Sequence, residues 1–182
     1  MTLKKIVSGG QTGVDRAALD VAIFLEIEHG GWCPKGRRAE DGRIPNNYHL
    51  SETESRDYAV RTERNVIDSD ATLILYRDQT VGGTELTRRM ALKHQRPHLC
   101  LDLAQWEDTG GVEGTESSSA AEDGIPVGTA DPLLRQLNRW LDQFGVSVLN
   151  IAGPRESTCS GITKQAERFL SRALQAYAEW RV

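Results

Sequence analysis

Three times along this chain, a short apolar run passes through a glycine-containing loop into a segment whose apolar residues recur at helical spacing. The runs, each with a glycine that follows it, are Leu3–Val7 with Gly10, Ala71–Tyr76 with Gly82, and Val146–Ile151 with Gly153. Strand, glycine turn and helix in this order form the repeating unit of parallel α/β proteins. No other feature of the sequence restricts the possible folds as much.

Two further apolar runs, His29–Cys33 and His98–Leu103, complete a set of five predicted strands. The intervening segments predict helices over about 14–27, 56–67, 84–94 and 133–144, and a last helix beginning near Ile162. Leu73, Ile74 and Leu75 are consecutive apolar residues, as in a parallel strand covered on both faces. The predicted fold is therefore α/β: a Rossmann-like, doubly wound and mainly parallel five-stranded sheet flanked by helices, with ligands at the carboxyl ends of the strands.

The chain has 182 residues, which suits a single domain covering 1–182. Residues 106–130 are acidic, rich in glycine and serine, and without a periodic apolar face, so they predict a flexible insertion that folding does not need. The cysteines Cys33, Cys100 and Cys159 lie far apart, which favours a reducing cytoplasm over a disulfide framework. No stretch approaches the roughly 20 apolar residues of a membrane span, so we expect no membrane insertion.

The formal net charge of −4 hides an uneven distribution of charged residues. Between Arg96 and Arg135 there are eight acidic residues and no lysine or arginine, so the remaining chain carries a formal charge of +4. A mildly basic body suits a small anionic ligand. The sequence lacks the basic stripe with interleaved aromatic residues that is typical of nucleic-acid binding, so we expect no nucleic-acid partner.

The glycine loop after the first predicted strand is the first candidate ligand site. Backbone N–H groups in such a loop, and the start of the following helix, converge on a point that suits phosphate. The loop lacks the Gly-Lys-Ser/Thr ending of a Walker loop and the G-x-G-x-x-G spacing of a dinucleotide site. An alternative role for Asp15 is that of helix N-cap. The predicted ligand-binding residues of this loop are Gly9, Gly10, Gln11, Thr12, Gly13, Asp15 and Arg16.

Three more loops at predicted strand ends carry cations or glycines. The second loop also contains Glu40 and Asp41, and its guanidinium groups suit bidentate contact with phosphate or carboxylate. In the third loop Thr84 is the predicted helix N-cap, and in the last one Glu156 is expected to fix Arg155. The predicted ligand-binding residues of these loops are Lys35, Gly36, Arg37, Arg38, Gly82, Gly83, Thr84, Gly153, Pro154, Arg155 and Glu156.

No residue is predicted to be catalytic or to bind a metal. The four histidines, His29, His49, His94 and His98, show neither two ligands on one helix nor the carboxylate triad that is typical of zinc or hydrolase sites. His94 and His98 are four residues apart, but the predicted helix ends near His94 and the next predicted strand begins at His98. His94 is predicted to lie near the C-terminus of a helix.

Five ordered segments of the chain resemble the molybdenum carrier family, the molybdenum cofactor carrier proteins. The segments are SGGQTGVDRAALD, CPKGRRAEDGRIP, TERNVIDSDATLIL, GGTELT and LNIAGPRES, and the resemblance extends from Lys4 to the last helix except for 106–130. It implies a fold similar to the lysine-decarboxylase-like nucleotide phosphoribohydrolases, in a Rossmann-like superfamily of proteins for nucleotide-derived ligands. The implied function is to bind and protect the molybdenum cofactor, an anionic phosphorylated pterin, without turnover.

An enzyme, a nucleoside monophosphate phosphoribohydrolase, is the alternative that this resemblance leaves open. Those hydrolases carry the motif P-G-G-x-G-T-x-x-E. The segment Val81-Gly82-Gly83-Thr84-Glu85 is shorter and lacks the proline and the spaced glutamate. The phosphate-binding part of the motif is retained and the catalytic glutamate is not, so we expect a carrier in preference to a hydrolase.

The resemblance also implies a homo-oligomer, and molybdoenzymes as the recipients of the cofactor. Trp140, Tyr177 and Trp180 in the last helices either contribute to an oligomer surface or belong to the core. The residues alone do not distinguish three candidate ligands: the molybdenum cofactor, its metal-free precursor and a nucleotide.

Overall fold

The computed structural model describes residues 3–107 and 131–180. The strands of the described residues are β1 (Lys5–Val7), β2 (Glu28–Gly30), β3 (Trp32–Cys33), β4 (Arg38–Ala39), β5 (Gly42–Arg43), β6 (Ser51–Glu52), β7 (Ala71–Tyr76), β8 (His98–Asp102) and β9 (Val148–Ala152). Their α-helices are α1 (Val14–Phe24), α2 (Tyr58–Ile67), α3 (Gly82–Lys93), α4 (Pro132–Gln143) and α5 (Ile162–Trp180).

The main sheet has five strands in the order β2-β1-β9-β7-β8, and every neighbouring pair is parallel. The chain passes from β1 to β2 on one side and from β7 to β8 on the other, and β9 then enters between β1 and β7. The loops that follow β1, β9 and β7 are therefore neighbours at one edge of the sheet, where such folds bind ligands. The predicted α/β, Rossmann-like fold with a five-stranded parallel sheet is confirmed.

Helices cover both faces of this sheet. Helix α1 packs against α5, which also packs against α4, while α2 packs against α3. Leu73 and Leu75 belong to the same buried cluster as Phe169 of α5. Ile74 is also fully buried, and its side chain points to the opposite face because side chains alternate along a strand. This arrangement explains the continuous apolar sequence of β7.

The predicted strand His29–Cys33 is divided between two sheets. Its first half, β2, joins the main sheet, whereas β3 pairs with β6 in a separate two-stranded sheet. The break falls at Gly31, whose φ of +126° favours glycine and whose hypothetical Cβ would lie 2.3 Å from the Ser8 carbonyl oxygen. A second buried cluster, which includes Leu19, Cys33 and Ile44, attaches this part of the chain to α1.

The N-cap predicted at Thr84, and the one that the sequence offers as an alternative at Asp15, are not observed. Asp15 is not the N-cap of α1: Gly13 occupies that position without a side-chain cap, and Asp15 is buried in the first turn. Thr84 is not the N-cap of α3: Val81 is, and the buried Thr84 donates its N–H to the Val81 carbonyl at 3.1 Å. In both cases the helix begins two or three residues earlier than the polar side chain would suggest, next to a glycine at α1 and at a glycine in α3.

Trp106, Trp140 and Tyr177 belong to the hydrophobic core. Trp106, the first residue of the predicted flexible insertion, is only 6% exposed. Its ring packs edge to face on that of Phe169, with 5.4 Å between the ring centroids. The remainder of the predicted insertion, 108–130, lies outside the described residues. Trp140 and Tyr177 belong to the same buried cluster, which is one of the two roles that the sequence left open for them. The side chain of Trp180 lies outside the described part of the chain. Among the described residues no helix is long and apolar enough to cross a membrane.

Candidate functional site

A cavity of about 170 Å³ lies at the edge of the sheet where the loops after β1, β7 and β9 meet. Helix α2 closes one side of it, and the first turn of α3 closes another. Its lining residues are Gln11, Asp15, Tyr58, Arg61, Thr62, Val81, Gly82, Gly83, Thr84, Leu86, Thr87, Ala152, Gly153, Pro154, Arg155 and Thr158. The prediction that the three glycine loops converge at the carboxyl ends of the strands is confirmed by this arrangement.

The first turn of α3 opens into the cavity without a side-chain cap. The first N–H groups of a helix have no partner within it, and they carry the positive end of the helix dipole. Gly82 has a φ of +53°, which favours glycine, but Gly83 has an ordinary backbone conformation. A Cβ at either position would have no protein atom within 4 Å. Packing therefore does not require glycine at Gly83, and the space beside it belongs to the cavity.

Arg61 and Asp15 form a buried ion pair on the cavity wall, with 3.1 Å between Nη1 and the carboxylate. Burial raises the pKa of Asp15, and the Arg61 guanidinium, together with N–H groups of Gln11 and Gly153, opposes that rise. Gly9 makes room for this pair, because a Cβ there would lie 1.8 Å from Nη1 of Arg61. A side chain at Gly9 would therefore displace the Arg61 guanidinium from its position beside Asp15.

Glu40 joins the loop after β1 to the loop after β9. Its carboxylate accepts hydrogen bonds from the hydroxyl groups of Thr12 and Ser157 and from the Ser157 N–H at 3.2 Å. Burial tends to raise the pKa of Glu40, but these bonds and the charge of Arg155 hold the pKa below its ordinary value. Arg155 lies 3.8 Å from this carboxylate, and its side chain is 39% exposed. The pairing is loose enough for Arg155 to contact a ligand at the mouth of the cavity.

Tyr58 of α2 lies between the two arginines of the cavity. The Arg61 guanidinium is 6.0 Å from the centre of the Tyr58 ring, and the Arg155 guanidinium is 5.9 Å from it. Cation–π attraction favours both positions. One aromatic ring thereby orients two cations that come from different elements.

Eight of the predicted ligand-binding residues line this cavity: Gln11, Asp15, Gly82, Gly83, Thr84, Gly153, Pro154 and Arg155. The other ten do not: Gly9, Gly10, Thr12, Gly13, Arg16, Lys35, Gly36, Arg37, Arg38 and Glu156. The glycines among these ten have mainly structural roles. Gly13 packs on the Pro154 carbonyl oxygen, 2.2 Å from its hypothetical Cβ, and Gly10 packs on Leu50.

Three of the predicted charged residues are engaged elsewhere. The buried guanidinium of Arg37 donates to four main-chain carbonyl groups, including that of Leu50 at 3.0 Å, and so holds a loop together. Arg16 pairs with Asp41. Glu156 does not fix Arg155 as expected: its carboxylate accepts from the Gly161 and Thr163 N–H groups at the start of α5. Lys35 and Arg38 are exposed outside the cavity.

Helix α2 supplies cavity residues that sequence reasoning missed, chiefly Tyr58, Arg61 and Thr62. The sequence predicts a helix over 56–67 and a family motif that begins at Thr62, but no ligand-binding residue in this segment. A signal was present nonetheless, because polar Thr62 and Asn65 occupy the helical positions that pack inward, where a purely structural helix carries apolar residues. No group of three or more potential metal ligands occurs among the residues described.

Comparison with known proteins agrees with the sequence motifs. A family model described as the circularly permutated YpsA SLOG family matches residues 6–174. The crystal structure of a protein from Syntrophus aciditrophicus SB, named "Putative molybdenum carrier protein", has 39% sequence identity and a TM-score of 0.80, and the match covers 95% of this chain and 96% of that one. No curated protein matches the chain. The resemblance to the molybdenum carrier family is confirmed.

Proposed function

Because the chain belongs to the circularly permutated YpsA SLOG family, we propose that it carries the molybdenum cofactor, and that its cavity binds the phosphate end of this cargo. The name of the similar Syntrophus protein supports a molybdenum-related cargo. The residues that line the cavity of this chain support an anionic cargo. Molybdoenzymes are the proposed recipients.

The observation that carries the proposal is the uncapped start of α3, which opens into the cavity through two glycines. Its free N–H groups and the helix dipole stabilise a phosphate there. The absence of a side chain at Gly83, which neither backbone conformation nor packing demands, leaves room for the phosphate oxygens to approach. Arg155, which is only loosely paired with Glu40, lines the same cavity and adds positive charge.

The size of the cavity limits which part of the cargo it holds. Pockets that enclose a drug-sized ligand have volumes of about 300–1,000 Å³. A volume of about 170 Å³ suits a phosphate and the atoms next to it. The pterin and its metal would therefore extend beyond the cavity, past the half-exposed Arg155 at its mouth.

Binding without turnover is favoured over hydrolysis by the position of Glu85. This carboxylate pairs with Arg88 at 2.8 Å and accepts a hydrogen bond from the Thr80 hydroxyl group at 3.2 Å. Glu85 does not line the cavity, although Thr84 and Leu86 on either side do. A carboxylate held outside the cavity is badly placed to act on a glycosidic bond inside it.

The proposal is tested by identifying what the protein binds in the cell. We expect mass spectrometry and metal analysis of the purified protein to find a phosphorylated pterin together with molybdenum. A bound nucleotide, combined with release of free base from nucleoside monophosphates that Glu85→Gln abolishes, would establish the hydrolase instead.

A further inference from the structure

The wall of the cavity formed by the loop after β1 contains a buried amide with one unsatisfied side. Gln11 is 6% exposed, and its Oε1 accepts hydrogen bonds from the N–H groups of Thr12 at 3.0 Å and Glu40 at 2.9 Å. Backbone N–H groups only donate, so these two bonds fix which end of the amide is the oxygen. The Nε2 group of Gln11 is then a donor, and it has no partner among the described residues.

A second unsatisfied donor lies on the same wall. The Nη1 group of Arg61 pairs with Asp15, but its buried Nε has no partner among the described residues. This guanidinium is held in place, since it lies against Gly9 and pairs with the buried Asp15 carboxylate. The same carboxylate accepts from the Gln11 N–H at 3.4 Å, which connects the two residues. Both residues line the cavity.

We propose that Gln11 and Arg61 form an acceptor-selective subsite, in which Nε2 and Nε donate to ligand oxygens that carry no hydrogen. This inference rests on the proposed function, because the subsite serves the same ligand whose phosphate approaches α3. A buried donor without an acceptor destabilises the empty protein, and an oxygen acceptor removes that penalty on binding. A ligand amino group beside either Nε2 or Nε would place one hydrogen-bond donor against another and would leave the protein donor unsatisfied.

Two parts of the expected ligand have the required chemistry. One is a phosphate oxygen, and the other is the keto oxygen of a pterin, which guanine shares and adenine replaces with an amino group. Inorganic phosphate, guanosine monophosphate and adenosine monophosphate therefore serve as probes that separate these sources.

The decisive variant is Gln11→Glu, which keeps an oxygen for the N–H groups of Thr12 and Glu40 but turns the free donor into an acceptor. We expect the affinity measured by calorimetry to fall at least about tenfold. If the oxygen belongs to phosphate, all three probes lose affinity. If it is a keto oxygen, only the guanosine nucleotide does. Gln175→Glu, the same change at an exposed position of α5, serves as the control and leaves all affinities unchanged.

Arg61→Lys is the companion variant, because it keeps the charge beside Asp15 and removes the Nε donor. Arg61→Lys is expected to weaken binding of the same probes as Gln11→Glu. Because it introduces no carboxylate, such a result excludes a purely electrostatic effect of the glutamate at position 11. Unchanged affinities in both variants would overturn the subsite while leaving the phosphate position at α3 intact. Failure of the unaltered protein to bind any of the three probes would overturn both proposals.

Discussion

Arg155 is the residue through which the exposed part of an anionic ligand is expected to meet the protein. Its only close carboxylate among the described residues is Glu40, at 3.8 Å, and its side chain lines the cavity. A charge-assisted hydrogen bond contributes about 1.5–3 kcal/mol, so Arg155→Ala should weaken binding of the molybdenum cofactor roughly ten- to a hundredfold in calorimetry. Arg38→Ala removes the same charge from an exposed position outside the cavity and should have little effect. Equal losses in the two variants would mean that only the overall charge of the protein matters.

A substitution at Gly83 is expected to affect ligand binding without lowering the stability of the fold. Leucine has a higher helix propensity than glycine, and a side chain at this position meets no protein atom within 4 Å of Cβ. Gly83→Leu should therefore melt at the same temperature as the unaltered protein or higher, yet lose the ligand because the side chain fills the approach to α3. A variant that binds normally would show that the phosphate lies elsewhere.

At the residue scale, the sequence predicted cavity residues where the residue type and its place after a strand are enough to suggest ligand binding. Glycines between a strand and a helix, and an arginine at a strand end, led to Gly82, Gly83, Gly153 and Arg155 in the cavity. Arg37 resembled them in the sequence but serves main-chain carbonyl groups. Arg61 was missed because its partners, Asp15 and Gly9, are about fifty residues away in the sequence. Whether an arginine has a structural role or can bind a ligand depends on partners that are distant in the sequence. Local sequence patterns do not reveal those partners.

At the element scale, Glu156 determines how α5 begins. Its carboxylate accepts from the N–H groups of Gly161 at 2.5 Å and Thr163 at 3.0 Å, and from the Thr163 hydroxyl group at 2.6 Å. The hydrogen bonds from Thr163 and Gly161 lower the pKa of Glu156 below its ordinary value of 4.5. The ionised carboxylate therefore stabilises the folded state.

The pH dependence of stability follows from this direction. Because the folded-state pKa is lowered, the stabilisation is complete above pH 4.5 and disappears as the pH falls through the lower pKa of the folded state. We expect Glu156→Gln to reduce the free energy of unfolding by about 1 kcal/mol at neutral pH, and the difference to shrink below pH 4.5. Glu54→Gln at an exposed position is the control. Urea titrations at several pH values measure both, and a difference that persists in acid would contradict the role of the charged cap.

The long elements were predictable from periodicity, and the short ones were not. Five central strands and five helices follow from apolar runs and helical spacing, with ends that shift by a few residues. Strands of two residues, such as β3 and β6, carry no periodic signal, and their pairing depends on the turn at Gly31. The loop that contains Glu40 is positioned by these short pairs, so its contacts with Thr12 and Ser157 could not be read from the sequence.

At the scale of the whole molecule, Trp106 belongs to the core, although it is the first residue of the segment that the sequence predicts to be dispensable for folding. Its ring packs on Phe169, and truncating a buried tryptophan costs about 3–5 kcal/mol. Trp106→Ala should therefore lower the melting temperature by more than about 6 °C. Replacing residues 109–129 with a Gly-Ser linker of about 10 residues should leave it nearly unchanged, because that acidic sequence has no apolar face to bury. Scanning calorimetry measures both, and a large loss in the linker variant would show that the acidic segment contributes to the core.

The proposed function requires that one cavity, at the carboxyl ends of β1, β9 and β7, hold the phosphate of the molybdenum cofactor. A crystal structure of the protein with this cofactor bound tests it most directly. We predict the phosphate beside the N–H groups of Gly82 and Gly83, within reach of Arg155, and the pterin outside the cavity. A phosphate bound elsewhere, for example in the open groove that Leu99 and Trp140 line beside α4, would contradict the account.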